Sequence, residues 1–161
     1  MTELAYTGVG DDMENRRVAV LLLIVMLLVG LASCTNTKMA SSDEKVLRVS
    51  VSDGDRTVVF VLNNSTPAKS FYNMLPLDVA VGDFLASEKI FYPPEKVDGT
   101  DGITGGGGAG DLALFYPWGD IVMYYGPFNS YPGLFLLGTA ESGAEHIKDL
   151  TGTIHVDRVR Q

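Results

Sequence analysis

The chain has 161 residues, is 46% hydrophobic with 18 Gly and 7 Pro, and carries a formal charge of −8 at pH 7. That length fits one domain with a tail, and the composition is that of a globular, turn-rich fold. The acidic balance, with no basic cluster beyond the N-terminus, excludes nucleic acid and argues against electrostatic attachment to an anionic membrane.

Arg16-Arg17 precede an unbroken apolar run, residues 18–31, which ends in Leu31-Ala32-Ser33-Cys34 and turns polar at once in Thr35-Asn36-Thr37-Lys38. A basic stretch, a short apolar stretch and small residues before a cut define a secretory signal. At 1.5 Å per residue the run rises about 21 Å, short of a hydrocarbon core of roughly 30 Å, which argues against a spanning helix. Leu-Ala-Ser-Cys in that position resembles the lipobox of bacterial lipoproteins. The resemblance implies cleavage between Ser33 and Cys34, lipidation of the Cys34 thiol and acylation of the new amino terminus. The partner is then a lipid bilayer, gripped at about 0.8 kcal/mol per buried methylene, and the location is the bacterial cell envelope, facing the periplasm or the exterior. Residues 1–33 read as the signal peptide, with residues 1–12 a mis-called start ahead of Met13. Residues 34–45 read as a lipidated, flexible tether. Cys34 is the only cysteine, so the remaining domain, residues 46–161, has neither a disulfide nor a thiol nucleophile.

Residues 46–51 alternate, with Leu47, Val49 and Val51 on one face. After Asp53-Gly54-Asp55 the chain returns with Val58, Phe60 and Leu62 facing in, which predicts a first hairpin. Asn63-Asn64-Ser65-Thr66-Pro67 then predicts a helix start with Thr66 as N-cap, and Ala68, Phe71, Tyr72 and Leu75 make one apolar face until Pro76. Short apolar segments at residues 77–81, 84–85 and 89–92 are expected to be strands. From residue 95 to 110 there is no periodicity, and seven glycines between Gly99 and Gly110 predict a mobile loop. That loop contains a literal G-x-G-x-x-G at Gly105, Gly107 and Gly110. It lacks a strand before it and a helix after it, so it is not a dinucleotide site, and no cofactor is expected.

Residues 110–126 hold two aromatic-rich runs of strand length around Pro117-Trp118-Gly119-Asp120, a hairpin buried on at least one face. Residues 134–137 predict an apolar strand, residues 141–150 a second short helix, and residues 153–159 a closing strand. The order is mainly β, about eight short strands with two short capping helices. Hairpin spacing favours a small closed β-barrel, because closure removes the sheet edges. His146 and His155 lie nine residues apart with no ligand spacing, so no metal site is expected.

The run from Arg56 through Phe60, Leu62, Thr66-Pro67, Lys69 and Asn73 to Leu75 resembles the opening of the cyclophilin fold, with a strand, a turn, a Pro-Lys element and a helix in that order. Gly110-Asp111-Leu112 with the Pro-Trp-Gly turn resembles the minimal bacterial and archaeal cyclophilin-like proteins, and Leu136-Leu137-Gly138-Thr139-Ala140-Glu141-Ser142-Gly143 resembles a later segment of the fold. This likeness implies a cyclophilin-like barrel over residues 46–161. It also implies an apolar groove for a proline ring and, in isomerases, an arginine that weakens amide resonance against a barrier of about 18–20 kcal/mol. No arginine stands between Arg56 and Arg158, and Glu88-Lys89-Ile90-Phe91-Tyr92 falls where that arginine strand would be.

The expected function is therefore an envelope-anchored module binding a proline-containing peptide or a small apolar ligand. A prolyl isomerase with Lys89 as substitute cation is one alternative, and a structural subunit of an envelope complex is another. The catalytic residues stay unassigned. The candidate ligand contacts are Lys89, Phe91, Tyr92, Trp118 and Met123, with Phe128 and Tyr131 from the following loop, since exposed aromatics mark binding rims.

Overall fold

Ten strands and two short helices follow one another in the computed structural model, which describes residues 46–160 of the chain. They belong to one unit, Glu44–Gln161. Cys34 and the stretches expected to be signal peptide and tether lie outside the described residues.

The first hairpin is β1 (Arg48–Ser52) and β2 (Thr57–Leu62), in register from Arg48↔Val61 to Ser52↔Thr57. Their buried positions are Val49, Val51, Val58, Phe60 and Leu62, the face that alternation selects. Helix α1 (Thr66–Met74) follows, and it is capped by Ser65 rather than Thr66. Ser65 has extended backbone and its hydroxyl accepts from the Ala68 amide at 3.4 Å, which places Thr66 and Pro67 in the first turn. Ser65→Ala is expected to cost about 1 kcal/mol, read as a lower urea midpoint at unchanged slope. Ala68 and Phe71 bury the helix against the barrel. Arg158 caps the other end, donating to the carbonyls of Tyr72 (3.0 Å) and Asn73 (2.9 Å).

The chain continues through β3 (Leu77–Ala80), β4 (Gly82–Phe84), β5 (Glu88–Phe91), β6 (Ile103–Thr104), β7 (Asp111–Phe115), β8 (Asp120–Tyr124), β9 (Leu134–Ser142) and β10 (Thr153–Arg158). The sheet runs β3-β10-β1-β2-β9-β7-β8-β5-β4, with β6 added on β9. Its two edge strands, β3 and β4, are separated in sequence by Val81 alone. The two edges are thus brought together covalently, and the sheet is a nearly closed barrel. Strand β9 is the longest and carries an extra residue against both neighbours, with register shifts opposite Val59/Phe60 and Leu112/Ala113. Such bulges bend and twist a strand, which is what wrapping a small barrel requires.

Two sequence expectations are corrected. Residues 141–150 do not form a helix throughout: β9 runs on to Ser142, Gly143 turns the chain at φ +74°, and only a 3-10 turn, Ala144–Asp149, follows. Nor are residues 95–110 without structure. Ile103 and Thr104 pair with Leu136 and Phe135, and Gly107 exchanges two 3.1 Å backbone hydrogen bonds with Phe128.

Candidate functional site

The predicted hairpin forms as β7 and β8, in register from Leu112↔Met123 to Phe115↔Asp120. Alternation sends Leu112, Leu114, Ile121 and Met123 into the barrel. The opposite, outer face carries Ala113, Phe115, Val122 and Tyr124, and it is also covered. Every residue of β8 is buried. A separate outer cluster unites Ala113, Val122, Tyr124 and Leu134 with Phe115, Phe128, Ile90 and Leu136 packed on it. An aromatic-rich run with little alternation is therefore a strand sandwiched between two apolar layers.

The cover is the loop of residues 125–133. The ring of Phe128 stacks on Tyr124 with centroids 3.7 Å apart and planes 13° from parallel. The glycine-rich segment holds that loop from behind. A Cβ at Gly106 would lie 2.9 Å from the Phe128 carbonyl oxygen, and one at Gly107 would lie 2.9 Å from the Phe128 ring. Asp111 fixes the same segment, accepting from the Gly108 amide and the Thr139 hydroxyl at 2.9 Å each. The glycines are where backbone passes close to backbone and to a ring, which only glycine permits.

Between this loop, the β4–β5 turn and the β7–β8 turn lies a groove of ≈ 490 Å³, floored by Val122 and Leu134. Its rim at one end is aromatic. Trp118, on the hairpin turn and 56% exposed, meets Phe84 edge-on at 5.5 Å and Phe115 at 5.2 Å. Phe115 also meets Tyr131 at 5.9 Å. Residues Asp120 and Tyr124 both line the groove and are four residues apart on β8. At about 3.3 Å per residue the floor is therefore about 13 Å long.

Two carboxyl groups line it, Asp120 near the aromatic rim and Glu88 across from Tyr124. Asp120 is only 2% exposed, and its Oδ1 has no hydrogen-bond partner. Burial pushes the Asp120 carboxyl above its usual range. Glu88 is raised too, first by burial and then by the charge of Asp120. The Tyr124 hydroxyl is likewise raised, by burial and then by both carboxylates. No lysine or arginine lines the groove among the described residues.

The sequence candidates are not brought together in one place. The groove is lined by Trp118, Phe128 and Tyr131. Phe91 and Met123 are fully buried in the barrel core instead, because they occupy inward positions of β5 and β8. Lys89 also points inward and is 3% exposed, its Nζ bound to Asp83 Oδ1 at 2.7 Å. Tyr92 is exposed beyond the end of β5, outside the groove lining. The arginines Arg48 and Arg56 are engaged with Glu141 and Asp53, and Arg158 with the helix end. Glu88 and Asp120 are not among the sequence candidates. The signal for Asp120 was present as a lone carboxylate opening an otherwise apolar strand, but Gly119-Asp120 also reads as turn chemistry. Among the described residues no group of three or more His, Cys, Asp or Glu is placed to hold a metal ion.

A nearly closed antiparallel barrel, with a helix after its first hairpin and a groove on the outside of its wall, defines a cyclophilin-like architecture. The sequence model of the cyclophilin-like family matches residues 51–158, and the chain belongs to that family. Among solved structures it is similar to the solution structure of the hypothetical protein AF2241 from Archaeoglobus fulgidus. The two share 13% identity at a TM-score of 0.60, over 71% of this chain and 95% of that one, a likeness of fold. No curated protein matches the sequence.

Proposed function

We propose that the protein is a lipoprotein of the cell envelope whose cyclophilin-like barrel binds a small or peptide ligand in the groove outside the β7–β8 hairpin. The observation that carries the binding role is the groove itself, an aromatic-rimmed trough beside a buried carboxyl oxygen that lacks a partner. Buried polar groups in folded proteins are almost always partnered, so a ligand donor is the natural complement. Anchoring rests on the Leu31-Ala32-Ser33-Cys34 sequence. Among the described residues no helix is long and apolar enough to cross a membrane.

Binding is favoured over isomerisation by the chemistry of the lining. Twisting a prolyl amide calls for a cationic donor at the imide nitrogen. The groove offers carboxyls instead, and Lys89 is committed to Asp83 outside the groove lining. A prolyl-isomerisation assay on the full chain is expected to give the uncatalysed rate. Turnover that disappears in Lys89→Met would overturn this reading in favour of the isomerase. For the anchor, Cys34→Ser is expected to abolish the lipid mass increment and membrane partitioning. Unchanged mass and partitioning in that variant would refute lipidation.

A further inference from the structure

We infer that the groove takes an aliphatic amine, an ammonium group carried on methylenes, with Asp120 as its main anchor and the aromatic rim as its cage. The inference rests on the groove being the binding site, and it assigns the chemical class of the ligand.

Asp120 differs from the other aspartates that have been described. Asp111 accepts from an amide and a hydroxyl, Asp53 from the amides of Asp55 and Arg56, and Asp98 from the Thr100 amide. Those carboxylates serve the fold, whereas Asp120 Oδ1 is buried with no donor. Its strand neighbours are apolar, and the space it borders is the groove. A neutral apolar occupant would seal that oxygen further from water while leaving it unpaired, at a cost. An anion would meet two carboxyls and no cation. An ammonium group supplies N–H donors and the opposite charge together.

The walls agree with this chemistry. Phe115, Trp118 and Tyr131 stand at the Asp120 end, and Tyr124 stacked on Phe128 stands at the Glu88 end. The faces of such rings attract alkylammonium cations, most strongly where water is excluded. Methylenes between nitrogens would lie on Val122 and Leu134. A bare divalent metal is a poor match, since hard cations take six or more oxygen ligands and the groove offers mainly rings. A floor of about 13 Å with a carboxyl toward each end suits a linear diamine or longer polyamine. A lysine side chain on a peptide presents the same head and stem.

Trp118 is the only tryptophan in the chain, so its emission reports on this site alone. The full chain, held in amine-free maltoside micelles, is titrated with cadaverine and spermidine and with a capped Ala-Lys-Ala peptide. The neutral controls are 1,5-pentanediol and the same peptide with norleucine in place of lysine. Saturable emission changes are expected with the amines and not with the controls, and the tighter of free amine and lysine peptide identifies the source. Asp120→Asn is expected to weaken amine binding about tenfold or more, as loss of a buried charge-assisted bond should. Glu88→Gln, at a less buried position, serves as the second variant. Neutral controls that bind as tightly as the amines, or amine affinity unchanged in both variants, would overturn the cation assignment while leaving the groove as a site. No emission change with any probe, charged or neutral, would overturn the groove reading itself.

Discussion

Gly138→Ala is expected to destabilise the barrel by about 3 kcal/mol, the upper part of the range for forced overpacking. Gly138 pairs with Leu62 of β2 on one side and Leu112 of β7 on the other. A Cβ there would overlap the Val61 carbonyl oxygen and lie 2.9 Å from the Leu62 Cα. Both obstacles are backbone, and Leu62 belongs to the barrel core, so a rotamer change cannot relieve them. The same strand sends Leu134 to the groove floor, which couples the seam to the site. Against a typical domain stability of roughly 5–15 kcal/mol the loss is large. Gly82→Ala is the matched control, because a Cβ at Gly82 meets nothing within 4 Å. Its unfolding free energy should stay within about 0.5 kcal/mol of the parent, and similar urea midpoints for the two variants would contradict the close approach.

Asp120→Asn is expected to stabilise the unliganded protein at neutral pH by about 1–2 kcal/mol while weakening its ligand binding. An isosteric amide removes an ionised group that burial disfavours and that finds no internal donor at Oδ1. The sign in pH follows from the raised carboxyl. The folded state holds the Asp120 proton more tightly than the unfolded chain, where aspartate titrates near 4. Folding stability from this group is therefore full below the unfolded value, declines as pH rises toward the raised folded value, and is level above it. Parent and variant should converge in acid and separate as pH rises, with the variant more stable. Glu88, also raised, adds a decline of the same sign to both proteins. Arg48-bound Glu141, with its carboxyl lowered, has the opposite sign: its contribution is lost as pH falls, again in both. The difference between denaturation curves carries Asp120 together with the part of the Glu88 shift that its charge causes, both of the same sign, and a variant less stable than the parent at pH 7 would contradict the orphaned carboxylate.

Hairpins were legible in the sequence where alternation or turn residues marked them. Val49, Val51, Val58 and Phe60 alternate into the core as their spacing predicts, and Pro117-Trp118-Gly119 makes the turn between β7 and β8. Strand β6 was not legible, because Ile103-Thr104 is two residues long and is specified by β9 rather than by its own glycine-rich surroundings. The 3-10 turn replaced a helix for a similar reason, since Glu141 and Ser142 are drawn into β9, where Ser142 pairs with Val59.

The site was half legible. Exposed aromatics at turns and loops pointed to Trp118, Phe128 and Tyr131, which line the groove. Phe91 and Met123 carry the same kind of apolar side chain but sit one step out of phase, and in a strand one step is the difference between the groove and the core. Glu88 gave no pattern of its own, and the lone carboxylate of Asp120 was masked by the turn beside it. A carboxylate beside a turn looks the same in sequence whether solvent or a second apolar layer covers it. What covers the outer face of the hairpin is the fold of residues 125–133 back over it, a long-range arrangement fixed by Gly107 and Phe128.

The most direct test of the outer-face site is a methyl NMR titration of the full chain with cadaverine. Resonances of Val122 and Leu134 should shift saturably, while those of Val51 and Val156, inside the barrel, stay in place. Shifts confined to the polar cleft at Met74 and Lys96, with Val122 and Leu134 unmoved at saturation, would contradict it.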